Sequence, residues 1–372
     1  MFKKFAVKFI GYIFIFTLII SSIEFLSKTF YEDVTIESGR KSVDIIVGKE
    51  YPTNFLAYLP HPYCLYINNP NWEAGGFKQN NSLGYRGKEF SLIKPKGVIR
   101  ILALGGSTTY NFPSVLNPED AWPVQLEKLL KEQTNLNIEV INGGLNAGTS
   151  GEVLSQYIFK HRYIKPDIVI YNAGWNDAAT LIFSKYEPDY ASYRKWGGLP
   201  INARPGEQAL LKHSYFAKIF YSWWLKTPKV SNLLLFPSEW DEITSDKAIA
   251  NVKKHEPVGF ARNLELVLRN IKQDGAIPII MAEQVAPVEI LKTNNDPWAI
   301  KAFPALLLAF DKVKRDIKLI TTEENVLLFQ MPDNSIPLQY FTDHAHVNKD
   351  GDRVKAEFLA KNLLPYLKNW YK

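Results

Sequence analysis

The chain has 372 residues, of which 46% are hydrophobic, 22% charged and 13% aromatic, a composition that excludes a collagen-like or disordered chain and a small disulfide scaffold. Its one cysteine, Cys64, can form no intrachain disulfide. The formal charge of +6 comes without a long basic run, so no nucleic-acid partner is expected.

Lys3, Lys4 and Lys8 precede an uncharged apolar stretch at 9–23 that ends at Glu24. At about 1.5 Å per residue this stretch spans roughly 22 Å, short of a bilayer core of about 30 Å. A helix over 5–26 is long enough if Lys8 snorkels towards the headgroups. The lysines ahead of the run predict a cytoplasmic N-terminus, with the rest of the chain on the extracytoplasmic side, periplasmic or extracellular. A cleaved signal peptide is the competing reading, but no Ala-x-Ala site follows; Ser21 and Ser22 offer a poor one. Residues 1–27 are therefore expected to be a cytoplasmic tip and a single-pass transmembrane signal-anchor.

Residues 28–97 are polar and aromatic, with turn signals at Pro60, Pro62, Pro70 and Gly75-Gly76, and are expected as an extended lead-in with a few short strands. From 98 the pattern changes. Apolar runs at 98–104, 138–141, 167–171, 276–281 and 326–329 predict strands. Between and after them, 122–130, 151–163, 258–273, 299–319 and 349–368 predict helices. Short apolar strands alternating with helices predict a parallel five-stranded sheet covered on both faces, an α/β three-layer fold. Ligands of such sheets sit beyond the carboxyl ends of the strands. The stretch 180–256 interrupts the alternation. Its aromatics, among them Tyr190, Trp196, Tyr215, Tyr221, Trp223 and Trp224, suit sugar stacking, acyl binding or plain packing. It is expected as an insertion over the site within one domain, 98–372.

The chemistry-bearing residues fall at the predicted strand ends. Gly105-Gly106-Ser107-Thr108-Thr109 follows the first strand and would expose a serine at a tight turn. Asn142-Gly143-Gly144-Leu145-Asn146-Ala147-Gly148 follows the second, and Gly174-Trp175-Asn176-Asp177 the third. Asp343-His344-Ala345-His346 comes after the fifth. The phosphate-loop alternative for the first turn lacks its Gly-Lys-[Ser/Thr].

With these blocks in this order, residues 98–368 resemble the SGNH, or GDSL-like, hydrolases. The lead Asn81-Ser82-Leu83-Gly84-Tyr85-Arg86-Gly87 is also similar to the segment before the first block in exported members. The resemblance implies a flavodoxin-like fold. It implies Ser107 as nucleophile, His346 as general base and Asp343 as the acid that orients it, a serine hydroxyl needing an imidazole to take its proton. It implies an oxyanion hole from the Ser107 N–H, the Asn176 side chain and a backbone N–H of the second block, Ala147 or, favoured for its close approach, Gly148. His344 is the rival base, and the Asp-x-x-His spacing favours His346. The first block departs from the usual Gly-Asp-Ser at Gly106. No cofactor is expected and no metal site is indicated. The implied activity is that of a membrane-tethered serine esterase removing an acyl group, acetyl by the habit of the family, from a cell-envelope or extracellular glycan or from a small ester. The alternatives are an O-acyltransferase that moves acetyl onto a polysaccharide and a non-catalytic glycan-binding protein on the same fold.

Overall fold

The structure is a computed structural model that describes residues 2–32, 57–193, 195–196, 205–224, 234–235, 242–292 and 297–367. Part of the expected lead-in, 33–56, and parts of the aromatic insertion, 197–204, 225–233 and 236–241, lie outside the described residues. The chain divides into two compact units, one of residues 1–56 with 195–235 and the other of 57–194 with 236–372. The expected insertion is thus split between units, and the boundary expected at 97 falls inside the second.

In the first unit, helix α1 runs over Phe2–Glu32, longer than the predicted 5–26. Its stretch Lys8–Phe30 is apolar and long enough to cross a membrane, and nearly all of its described residues are exposed, Ser27 being the buried exception. Glu24, the charge that ends the apolar run, accepts hydrogen bonds from Ser214 Oγ at 2.9 Å and from the Tyr215 N–H. It thereby satisfies donors at the start of the helix Tyr215–Trp224.

The second unit opens with two short hairpins, Tyr58–His61 with Leu65–Asn68 and Glu73–Ala74 with Phe77–Lys78. The α/β part follows in chain order: β1 Ile99–Gly105, α2 Ser107–Tyr110, α3 Trp122–Gln133, β2 Ile138–Asn142, α4 Ser150–Phe159, β3 Ile168–Ala173 and α5 Trp175–Thr180. After a helix at Ser245–Lys254 come α6 Val258–Gln273, β4 Ile277–Ala282, α7 Pro297–Glu323, β5 Leu327–Leu328 and α8 Lys349–Leu367. The predicted helix 151–163 ends early. Lys160 leaves helical geometry, and His161–Ile164 makes a 3₁₀ turn that redirects the chain into β3.

All five strands are parallel, in the order β5-β4-β3-β1-β2, which is the flavodoxin-like order. Side chains alternate across the pleat, and both faces are covered. Ile101, Ala103, Ile168 and Ile170 pack with Trp122 and Leu126 of α3 and Leu359 and Leu363 of α8. Leu102, Leu104, Val169 and Tyr171 pack with Leu264 of α6 and Phe303 and Phe310 of α7. This is why the strands read as continuous apolar runs.

Arg100 is the exception within β1. Its guanidinium is fully buried, paired to Glu139 at 2.8 Å and bonded to the carbonyls of Ser91 at 2.8 Å and Ile164 at 2.7 Å. Arg100→Ala strips three acceptors of their donor at once and should cost about 3–5 kcal/mol of stability, read by chemical denaturation. A loss below about 1 kcal/mol would show that the lead-in is not held through this residue.

Candidate active site

The order β3-β1-β2 means that the chain leaves β1 towards one side of the sheet for β2 and returns on the other side for β3. The crevice between the carboxyl ends of β1 and β3 is therefore the switch point of the sheet. Ser107 follows β1 and Asn176 follows β3, so they flank it.

The turn after β1 is tight. The N–H groups of Thr109 and Tyr110 both donate to the Gly106 carbonyl at 3.1 Å, which leaves Ser107 half-buried at the start of α2. A Cβ on Gly106 would stand 2.6 Å from Asn176 Nδ2. The Asn176 amide is thus seated directly against the residue before the serine. The same Nδ2 donates to the Gly148 carbonyl at 2.8 Å, which orients the amide and joins the turns after β1, β2 and β3. Gly144 is equally constrained, since a Cβ there would come 2.4 Å from the Tyr110 backbone nitrogen.

Gly148 has a different part from the expected one. Its N–H donates to the Leu145 carbonyl at 2.9 Å, so the donor foreseen for an oxyanion is engaged in its own turn. The carbonyl is what it offers to the site. The left-handed conformation of this turn, at φ 58°, falls on Ala147.

The Asp343–His346 loop is a closed local structure. Phe341 and Val347 pair as an antiparallel bridge, and the Thr342 N–H donates to the His346 carbonyl at 2.9 Å. Asp343 Oδ1 accepts from the N–H groups of Ala345 at 2.8 Å and His346 at 2.7 Å, while Oδ2 lies 2.7 Å from His346 Nδ1. Partial burial pushes the Asp343 pKa up. The hydrogen bonds and charge of His346 outweigh that and hold the carboxyl well below the usual carboxylate range. An ionised carboxylate only accepts, so the proton of this contact sits on Nδ1, and Nε2 is the ring's basic nitrogen.

Asn111 ties this loop to the serine. Its N–H donates to the Ser107 carbonyl at 2.6 Å. Its side-chain amide donates to the Val347 carbonyl at 2.9 Å and to Asp352 at 2.8 Å. Ser114 and Thr342 share a hydroxyl contact of 2.7 Å between the same two segments. His344 packs its ring on Trp175 and Phe303, with centroids 5.7 and 5.8 Å away, in aromatic packing rather than in the Asp343 pair.

Several contributors were not visible in the sequence. Arg86, in the flagged lead Asn81–Gly87, is buried, and its guanidinium bonds the carbonyls of Tyr110 and, at 2.5 Å, Val115 just beyond α2. Asn68 donates to the Gly144 carbonyl at 2.9 Å. Asp177, beside Asn176, is fully enclosed. Burial pushes its pKa up to about 6 against the hydrogen bonds of Ser150 and Tyr190, the latter at 2.5 Å. It fastens the start of α4 to α5, and Tyr190 of the aromatic stretch is buried here as its hydrogen-bond donor. Among the described residues, no group of three or more His, Cys, Asp or Glu side chains could hold a metal ion.

No protein-family model and no curated protein matches the chain. Solved structures do. The chain is similar to a lipolytic protein of the G-D-S-L family from Desulfitobacterium hafniense, with 14% identity over 71% of this chain and 98% of that one, at a TM-score of 0.38. A GDSL-like lipase from Bacteroides thetaiotaomicron aligns with 13% identity over 72% and 89% of the two chains, at a TM-score of 0.39. A catalytic mutant of an acetylxylan esterase from Geobacillus stearothermophilus aligns with 16% identity over 71% and 93%, at a TM-score of 0.41.

Proposed function

We propose that this protein is a serine esterase, tethered by α1 with its α/β unit on the extracytoplasmic side, that removes an acyl group, acetyl, from a glycan of the cell envelope. The observation that carries the reading is the convergence at the switch point. Asn176 is locked against the turn bearing Ser107, and an Asp343–His346 pair is tied to that same turn through Asn111.

In this reading His346 Nε2 takes the Ser107 proton as Oγ attacks the ester carbonyl. The Ser107 N–H and Asn176 Nδ2 meet the oxygen that becomes negative. The alcohol leaves with the proton held on His346, and water, deprotonated by the same nitrogen, releases the acid from the acyl-enzyme. Asp343 holds the tautomer and stabilises the imidazolium. The Gly148 carbonyl keeps the Asn176 amide in register. The glycan follows from the resemblance and from the anchor, since a catalytic unit held at the outer membrane face works at envelope polysaccharide.

A fluorophosphonate should label Ser107 alone, identified by peptide mass spectrometry, and should stop turnover of p-nitrophenyl acetate. Labelling elsewhere with turnover intact would overturn the assignment. A glycan acceptor that takes up the acyl group faster than water would redirect the reading to transfer. For topology, external protease should remove a C-terminal tag in spheroplasts; a protected tag would place the catalytic unit on the other side.

A further inference from the structure

The aromatic helix Tyr215–Trp224 has no part in the catalytic reading. It belongs to the first unit, with α1, and the two helices pack on one another. Their junction is Glu24. Its carboxylate accepts from Ser214 Oγ at 2.9 Å, from the Tyr215 N–H and, at 3.4 Å, from the Phe216 N–H. Glu24 is the first charge after Lys8, about 24 Å further along an α-helix. A hydrocarbon core is about 30 Å thick, so a span that starts at Lys8 brings Glu24 to its far boundary. A carboxylate at that level is costly unless it is hydrogen-bonded. The first N–H groups of a helix, with the positive end of its dipole, meet that need. The helix Tyr215–Trp224 therefore starts where α1 leaves the apolar core.

Its 10 residues make about 15 Å of helix, too short to cross a bilayer. Phe216 and Phe220 lie one turn apart on the same face, with stacked rings whose centroids are 6.4 Å apart. They are 51% and 49% exposed. Lys218 is buried, its ammonium 5.0 Å from the centroid of the Tyr215 ring. The helix thus turns its one cation inward and two phenyl rings outward, the reverse of a helix that faces water. Beside the junction, Phe25 and Leu26 of α1 are exposed as well. Lys212, just ahead of the helix, is exposed and suits lipid phosphates. The sequence of the helix ends in Tyr221-Ser222-Trp223-Trp224, rich in the residue types that favour the headgroup level.

We propose that the helix Tyr215–Trp224 is a second membrane-contacting element: docked on α1 at Glu24, it lies along the headgroup boundary and places Phe216 and Phe220 among the acyl chains of the far leaflet. The proposal rests on the reading of α1 as a membrane span. A single span leaves the chain beyond it free to swing on the membrane surface, and a second contact in the same unit holds that unit against the lipid.

The test uses the full-length protein in liposomes of phosphatidylethanolamine and phosphatidylglycerol. The photoreactive p-benzoylphenylalanine replaces one residue at a time, and its adducts are read by mass spectrometry. Phe16→p-benzoylphenylalanine, midway between Lys8 and Glu24, reports on the span itself. Phe220→p-benzoylphenylalanine should form lipid adducts at a yield within about threefold of that at Phe16. Adding Glu24→Ala should lower the Phe220 yield about fivefold or more and leave the Phe16 yield unchanged, because it removes the dock and not the span. Lipid adducts at Phe16 without lipid adducts at Phe220 overturn the proposal alone. So do adducts at Phe220 to a second copy of the chain, or to another part of the same chain, in place of lipid. A Phe220 yield that survives Glu24→Ala overturns it too. An absence of lipid adducts at Phe16 overturns the reading of α1 as a span, and the proposal with it. Should the Phe220 variant not fold, the same replacement at Phe216 decides, with the same outcomes.

Discussion

Ser107→Ala is expected to lower kcat/KM for p-nitrophenyl acetate by about 10⁴-fold or more, while the unfolding midpoint moves by no more than about 2 °C. The two outcomes have separate causes. In the proposed mechanism the Ser107 hydroxyl forms the acyl-enzyme, so its loss removes the covalent route entirely. The turn, by contrast, is built from backbone bonds of Thr109 and Tyr110 to Gly106 and from Asn111 to Ser107, and a Cβ remains at 107. His346→Ala should cost a similar factor, because in the proposed mechanism Nε2 is the base. The double variant should be scarcely worse than either single one, since residues that act as one unit are not additive. His344→Ala should act differently. It removes a ring from the packing of Trp175 and Phe303, and so lowers stability more than it lowers catalysis. A dead His344→Ala beside an active His346→Ala would shift the base by two positions. An active Ser107→Ala would end the serine mechanism.

Asn176→Ala should lower kcat by about a hundredfold to a thousandfold, or roughly 3–4 kcal/mol, and change KM little. The amide is fixed before any substrate arrives, by the Gly148 carbonyl at 2.8 Å on one side and by its seat against Gly106 on the other. Such a donor needs no reorganisation when charge develops on the carbonyl oxygen, and it matters less to the uncharged ground state. Asn176→Asp is the sharper comparison. It keeps the shape but faces the Gly148 carbonyl with another acceptor and the oxyanion with a negative charge, so it should be at least as damaging as alanine. An equal rise in KM and no fall in kcat would make Asn176 a substrate-binding group rather than an oxyanion donor.

The alternation of strands and helices, and hence a parallel sheet, was legible in the residues themselves. A strand buried on both faces is apolar at nearly every position, and 98–104, 138–141 and 167–171 show that, with Arg100, Glu139 and Asp167 as the exceptions. The helices between them carry their own period, which is a local property of the chain. The placing of the candidate site was legible for a related reason. In a parallel sheet the loops at the carboxyl ends converge by topology, so the turns bearing Ser107, Asn176, Asp343 and His346 could be expected at one end of the sheet, while the roles given to these residues came from the resemblance. The choice of His346 over His344 rested on spacing within one turn, and the contact of Asp343 with His346 Nδ1 is likewise local.

What tertiary structure decided are the contacts that no local pattern encodes. Asn111 reaches Asp352 across 241 positions of sequence, and Arg86 holds Tyr110 and Val115 from a lead-in that read as extended with a few short strands. Gly148 was named for its N–H, but whether a backbone donor is available depends on the turn that closes around it, and here Leu145 takes it. Residues 195–235 group with 1–56 rather than with the sheet, a partition that composition alone cannot express. Asp177 is the clearest case. In the sequence it is only the acid beside Asn176. Its enclosure with Ser150 and Tyr190, and the desolvation that lifts its pKa, exist only once the turns after β2 and β3 lie together at one end of the sheet, because burial and hydrogen-bond geometry are properties of the assembled sheet and not of any one segment.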